Sequence, residues 1–379
     1  MTDIAAHSEA EVVEAVRAAR DWKSPLNIVG ARTKRAFGRA VASWGTVLDL
    51  SELSGVVAYE PEELILTVRP GTPVAEIEAL LAAKNQQLGF DPADWAPLLG
   101  APANAGTIGG AIAANVAGSA AIRYGRARDH LLGFHAVNGL GEPYKAGGRV
   151  VKNVTGFDLP KLMCGSFGTL GPLTEITLRV FPEAPLSATL AVTGVDAETG
   201  LALLRRIWSS PLEATGLAYV AAEAVAVVRL DGAREPLAEK LALARDLLAG
   251  HEIFEIDGGD ALFRDLGSGA PFLGSAFDVW RIAVPPAGAA QVAAQIASPL
   301  WYADWAGGML WIGTNGADLH EIAGTAGGHA TLVRASEETR GRIDVFPPEP
   351  PERAALTRSV KAAFDPLGLF NPGRMYEGV

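Results

Sequence analysis

Two glycine-punctuated turns carry the residue types best suited to holding an anion. The first is Gly30-Ala31-Arg32-Thr33-Lys34, where a short apolar run ends in a turn with a hydroxyl and two cations. The second is Gly106-Thr107-Ile108-Gly109-Gly110, which runs on through Ala113 and Asn115 to Gly118. Small residues let the backbone approach a ligand closely, and successive N–H groups can form a nest around a diphosphate. One such loop, taken alone, is more often a tight turn between strands. Two of them, followed by Tyr124-Gly125 and the glycines of 165–171, point to a long cofactor held in an extended pose. No GxGxxG leads from a strand into a helix and no GxxxxGK[ST] occurs, which disfavours a Rossmann domain or a P-loop.

The other reactive residue types mainly exclude. Cys164 is the single cysteine, so internal disulfides, a CxxC knot and an iron–sulfur cluster held by this chain alone are ruled out. The six histidines (His7, His130, His135, His251, His320 and His329) have no metal-ligand spacing, so no metal site is expected. With 32 basic against 43 acidic residues and a net charge of −11, the chain lacks the basic face of a nucleic-acid binder. The N-terminus shows neither a basic nor an apolar leader region, and no run approaches the roughly 20 apolar residues of a membrane span. These features predict a cytoplasmic protein that reaches the inner membrane only through a partner.

The elements that must position the two turns follow from periodicity. At 379 residues the chain predicts two domains. Ser8 reads as an N-cap with Glu9 and Glu11 in the first turn, and Val12, Val13, Val16 and Ala19 mark a helix ending before Pro25. Strands are predicted at 26–29, 46–50, 55–59, 64–68 and 174–180, with Pro73 opening a helix through Leu81. Between them, 92–171 is dominated by Gly, Ala and Pro. Beyond the Pro182 to Pro185 boundary the order becomes β-α-β-β-α-β twice, which predicts an antiparallel sheet with helices on one face. The predicted divisions are 1–183, 184–345 and a C-terminal segment, 346–379, that returns to the first domain. Trp301, Trp305 and Trp311 read equally as an interface strip or as core.

In this order the motifs resemble a known family. The turn 30–34, Thr67-Val68-Arg69-Pro70-Gly71, 107–110, 113–118, Tyr124-Gly125 with Asp129, and Gly165-Ser166-Phe167-Gly168-Thr169-Leu170-Gly171 resemble the FAD domain of the vanillyl-alcohol oxidase superfamily. Val151 to Leu159 looks like that family's Gly-Tyr-Asp-Leu segment, and Asn371-Pro372-Gly373-Arg374 like the Asn-Pro-Gly-Lys ending of its 2-hydroxy-acid dehydrogenases. Over nearly the whole chain the resemblance is to the smaller FAD-binding subunits of bacterial glycolate oxidases. It implies an α+β fold: a PCMH-type FAD-binding domain of two α+β subdomains plus an antiparallel cap domain. It further implies FAD contacts from Gly30, Ala31, Arg32, Thr33, Lys34, Gly106, Thr107, Gly109, Gly110, Ala113, Asn115, Gly118, Gly168, Thr169, Gly171, Ile176 and Asn371. Relatives that tether FAD covalently carry a histidine in the first turn. Thr33 and its neighbours stand there instead, which implies non-covalent FAD.

Oxidation of a small 2-hydroxy acid needs a cation for the carboxylate, a base for the hydroxyl proton and the flavin N5 for the hydride. The candidates are Lys152, Arg374, His329 and Arg334, set against readings as loop lysine, surface charge or structural histidine. Larger, substrate-oxidising relatives carry a histidine-rich Gly-Asp-Gly-Asn-x-His segment that is absent here, so no base is assigned. The resemblance therefore implies a flavin electron carrier working with a larger FAD-binding catalytic subunit and an iron–sulfur subunit to oxidise glycolate to glyoxylate. The alternative is a self-sufficient FAD-dependent dehydrogenase or oxidase of another small 2-hydroxy acid or alditol. A third reading, a scaffold with an empty pocket, sits badly with the intact glycine motifs.

Overall fold

The computed structural model describes residues 3–41, 45–148 and 158–379. Its first helix, Glu9–Trp22, starts where the Ser8 hydroxyl accepts from the Glu11 N–H at 3.3 Å, and Lys23 closes it in the left-handed conformation. Val12, Val16 and Ala19 form its buried stripe and share a core with Leu26 and Leu48. Those two residues belong to a small parallel sheet of β1 (Asp3–Ala5), β2 (Leu26–Val29) and β3 (Thr46–Asp49), in the order β1-β3-β2.

A second, antiparallel sheet completes this part of the chain. It and a separate two-stranded sheet are drawn from β4 (Val56–Glu60), β5 (Ile65–Val68), β6 (Gln86–Gln87), β7 (Leu131–Val137), β8 (Pro143–Gly147), β9 (Leu173–Arg179) and β10 (Phe181–Pro182). Five of them run in the order β4-β5-β9-β7-β8, while β6 pairs only with β10. Leu66, Val68, Phe134, Ile176 and Leu178 bury one face together with Ile77 and Leu81 of the helix Val74–Ala82. Strands β7 and β8 were not visible to periodicity. In β7, Leu131, Gly133, Phe134, Ala136 and Val137 are all buried, so the strand lacks the alternation that marks a half-exposed one.

The C-terminal segment returns to this unit through one buried ion pair. On the helix Pro351–Phe364, Lys361 Nζ donates to Asp365 Oδ2 (2.7 Å), Thr169 O (2.7 Å) and Phe370 O (2.8 Å), which uses all three ammonium donors. Asp365 in turn accepts from the N–H groups of Leu369 (2.9 Å) and Phe370 (2.7 Å). So held, Phe370 lies parallel to Leu26, with Leu26 N donating to Leu369 O and Asn371 N to Leu26 O.

Compact contacts divide the chain into two units. One comprises Met1–Val116, Arg126–Pro182 and Pro348–Val379; the other comprises Ala117–Gly125 and Glu183–Pro347. The second unit holds β11 (Leu186–Thr193), β12 (Gly216–Val220), β13 (Val225–Gly232), β14 (Ile253–Ile256), β15 (Asp278–Ala283), β16 (Trp301–Asp304), β17 (Met309–Thr314) and β18 (His329–Arg334). They form one antiparallel sheet, β14-β11-β13-β12-β16-β17-β15-β18, whose two halves join where β12 pairs with β16. This is the twice-repeated order that the sequence predicts. Trp311 is fully buried against Phe272 and Tyr302, which makes it core. Trp305 is half-buried, and its indole donates to Gly118 O. Among the described residues no helix is long and apolar enough to cross a membrane.

Removing one partner from a saturated buried pair leaves the other charge uncompensated, at a cost of about 3–5 kcal/mol. Lys361→Ala is therefore expected to lower the unfolding free energy of the first unit by an amount in that range, read from a fall in its urea midpoint. An unchanged midpoint would show that the pair carries no such weight.

Candidate cofactor site

The first turn springs from the end of β2. Residues 30–35 line a cleft with Asn27, Ile28, Thr107, Gly110, Ala113, Phe167, Asn371 and Arg374. Its cations are used differently. Arg32, with φ +60°, places its guanidinium 2.8 Å from both Asp3 and Asp49, and these hydrogen bonds hold its pKa above the ordinary value. Arg32 is thus paired across the ends of β1 and β3. Lys34 has no ion pair among the described residues. Burial lowers its pKa, opposed by the more distant attraction of Asp94.

The second turn is built by Thr107, which caps the helix Ile108–Ala113 by accepting from Gly110 N at 3.3 Å. On either side, Val74 N donates to Gly106 O and Ile108 N to Thr72 O, which stitches the turn to the start of the helix Val74–Ala82. Its glycines divide their work. Gly109 donates its N–H to Pro70 O, and a Cβ there would stand 2.8 Å from that same oxygen, so close packing requires this glycine. Gly106 and Gly110 face the other way: a Cβ on them would stand 3.6 Å and 3.9 Å from Lys34 Nζ. A Cβ on Gly30 would meet Thr107 Oγ1 at 2.7 Å, so the two turns approach each other as closely as glycine permits.

A further wall comes from the C-terminus. Asn371, itself at φ +41°, accepts from Ile28 N through Oδ1 and donates to Phe167 O through Nδ2, both at 2.7 Å. Gly168, at φ +72°, would strike that Nδ2 with any Cβ. Arg374 donates to the carbonyls of Lys34 (2.9 Å), Arg35 (3.0 Å) and Phe37, and so ties down the far end of the first turn. A second cleft, which shares Ile28, Gly30, Thr107, Gly110, Ala113 and Phe167 with the first, continues to Leu50, Pro70, Gly168, Gly171 and Leu173.

Of the other residues singled out in the sequence, Asn115, Thr169 and Ile176 do not line these clefts. Asn115, at φ +49°, accepts from Arg128 N and from the Cys164 thiol, and so binds the end of its helix to the segment that follows Met163. Thr169 is buried, its hydroxyl on Ser166 O and its carbonyl on Lys361. Ile176 is a core residue of β9 between Val68 and Phe134. Gly118 belongs to the second unit, as do His329, exposed at the start of β18, and Arg334, whose guanidinium donates to the carbonyls of Phe272, Ser275 and Phe277. Lys152 lies outside the described residues. Conversely, Ile28, Asn27 and Phe167 line the cleft and were not anticipated. Phe167 carried one available signal: it is an aromatic residue flanked by Gly165 and Gly168, and all three have positive φ.

These residues fit FAD. A desolvated ammonium without a carboxylate partner stands beside two glycines whose missing side chains keep the wall open. That donor set matches a diphosphate. Among the described residues no group of three or more His, Cys, Asp or Glu is placed to hold a metal ion.

The comparisons agree with this geometry. Residues 3–147 match the family model described as an FAD binding domain. The solved structure of p-cresol methylhydroxylase with substrate bound shares the fold, with a TM-score of 0.76 over 98% of this chain and 88% of that one at 15% identity. The protein is thus a flavoprotein oxidoreductase of the PCMH-type FAD-binding class. It is 34% identical over 368 residues to glycolate oxidase subunit GlcE of Escherichia coli, covering 96% of both chains, and it belongs to that family. It is also 29% identical over 187 residues to glycolate oxidase subunit GlcD of Bacillus subtilis, covering 49% of this chain and 38% of the relative.

Two outcomes test the site. Gly110→Val would fill the space between Thr107 Oγ1 and Lys34 Nζ, and is expected to abolish flavin retention while the circular dichroism of the second unit persists. Flavin content equal to the wild type would refute the placement. Burial pushes the Cys164 thiol up to about 12, so it stays protonated at neutral pH and across the range where most thiols ionise. Iodoacetamide at pH 8 is expected to spare it in the native protein and to label it in urea, with mass spectrometry as readout.

Proposed function

We propose that this chain is the FAD-carrying smaller subunit of a glycolate oxidase, contributing to the oxidation of glycolate to glyoxylate. The end-to-end likeness to Escherichia coli GlcE carries the reading, because it spans both units and the C-terminal return rather than the flavin domain alone. Its partners in this reading are a larger FAD-binding subunit of the GlcD kind and an iron–sulfur subunit. When bound, FAD supplies a two-electron acceptor suited to oxidising a CH–OH carbon. The chain's own part is to bind and orient it. Lys34, Thr33, Thr107 and the backbone at Gly106 and Gly110 face the diphosphate, while Asn371 fixes β2 against Phe167. No histidine stands in residues 30–34, which supports non-covalent binding.

Arg374 serves in this reading as the clamp on the first turn, its Nη2 donating to the backbone carbonyls there. His329 belongs to the unit that does not hold the clefts. In this reading the chain works as an electron carrier within the complex and not as the sole catalytic subunit, in keeping with the absence of a Gly-Asp-Gly-Asn-x-His segment.

Purified alone, the protein is expected to absorb at about 450 nm from retained flavin. A colourless product that takes up no added FAD would sink the reading. Anaerobic glycolate is expected to leave the isolated chain's flavin oxidised, and to bleach it only once the larger subunit is added. Bleaching of the isolated chain would instead establish a self-sufficient hydroxy-acid dehydrogenase.

A further inference from the structure

The sheet of the second unit is built from two like halves, and its two edges are treated differently. Outward from the β12–β16 seam the strands run β12-β13-β11-β14 on one side and β16-β17-β15-β18 on the other, so β14 and β18 hold equivalent outermost places. Beside β18 the chain turns back. Leu332 N donates to Val345 O at 2.8 Å, and Ile343, Val345 and Phe346 of the returning segment are buried. The chain leaving β14 takes another course, into the helix Gly259–Ser268, where Gly259 closes onto Thr189 of β11 with no room for a Cβ. Among the described residues β14 pairs with β11 alone.

An open edge offers unpaired N–H and C=O groups to any extended chain, and proteins that must stay apart guard such edges with lysine, proline or a bulge. Strand β14 has none of these: Ile253-Phe254-Glu255-Ile256 follows β11 in unbroken register, and Phe254 is 44% exposed. Its charges are acidic. Glu252 and Asp257 flank the strand, and Glu255 within it pairs with Arg245 at 2.9 Å. Antiparallel addition of a second copy would set these carboxylates against each other, and like charges facing across a ladder are destabilising. A strand carrying Lys or Arg would meet opposite charges instead. We infer that the outer edge of β14 is the docking site for a basic, extended segment of a partner chain, which lies beside β14 as residues 343–346 lie beside β18. Main-chain hydrogen bonds hold such a segment, and Phe254 gives it an apolar contact.

The inference rests on the proposed function for the partners used in its test, the larger FAD-binding subunit and the iron–sulfur subunit. Amide hydrogen exchange is followed by mass spectrometry in the isolated chain and in its complex with those subunits. Residues 253–256 are expected to exchange about tenfold or more slowly in the complex than alone. Phe254→Lys removes the apolar contact and sets a like charge against the incoming segment, and is expected to weaken assembly by about tenfold or more. Leu273→Lys serves as control. That leucine is 47% exposed in the same unit, next to Phe272, whose carbonyl accepts from Arg334 of β18 at the far edge. Unchanged exchange of 253–256 in a complex that does form would overturn the inference. So would assembly of Phe254→Lys at wild-type affinity, or an equal loss in Leu273→Lys. Slowing in the isolated chain that grows with its concentration would assign the edge to a second copy and overturn it as well. If the wild type forms no complex at all, the partners of the proposed function fall, and this docking site with them.

Discussion

The Lys361–Asp365 pair governs much of what surrounds the clefts. It lies in the interior, 2.7 Å between charges, with every ammonium donor used and the carboxylate answered by two backbone N–H groups. Burying two charges is favourable only when each finds a full complement of partners. Here the partners are the backbone of Thr169 on one side and of Leu369 and Phe370 on the other. One interaction therefore fixes both the 165–171 loop and the strand-like addition beside β2. From that anchor Asn371 reaches Ile28 and Phe167, and Arg374 reaches the carbonyls that end the first turn.

The glycines of the site do two kinds of work. Gly109 and Gly171 lie against backbone carbonyls, at Pro70 and Val137, and their absence of a Cβ serves packing. Gly30, Gly106, Gly110 and Gly168 border open space or the side chains that shape it. Both kinds read identically in sequence, because close approach to protein and close approach to ligand impose the same steric demand. This is why the glycine motifs alone do not separate the members that border the clefts from those that serve packing.

Legibility followed the strength of local signals. The N-terminal helix announced itself through Ser8, two glutamates and an apolar stripe, and the second unit through its repeated alternation. Strand β7 did not, because burial on both faces removes the period of two. Ile28 and Phe167 were passed over because an apolar residue in a strand or turn reads as core whether or not a cleft opens beside it. Arg32 and Lys34 looked equivalent as neighbouring cations. Only the fold separates them: it carries Asp3 and Asp49 to Arg32, while Lys34 has no ion pair among the described residues. Lys361 and Asp365, four apart near a helix end, resemble an ordinary exposed pair. Their burial depends on a loop nearly two hundred residues away in sequence.

The chain passes through its first unit three times, and the last passage comes after the whole of the second. A protein made from its N-terminus therefore has every residue of its second unit before it has the last wall of its clefts. The first turn thus gains the braces of Asn371 and Arg374 only once the end of the chain has been synthesised.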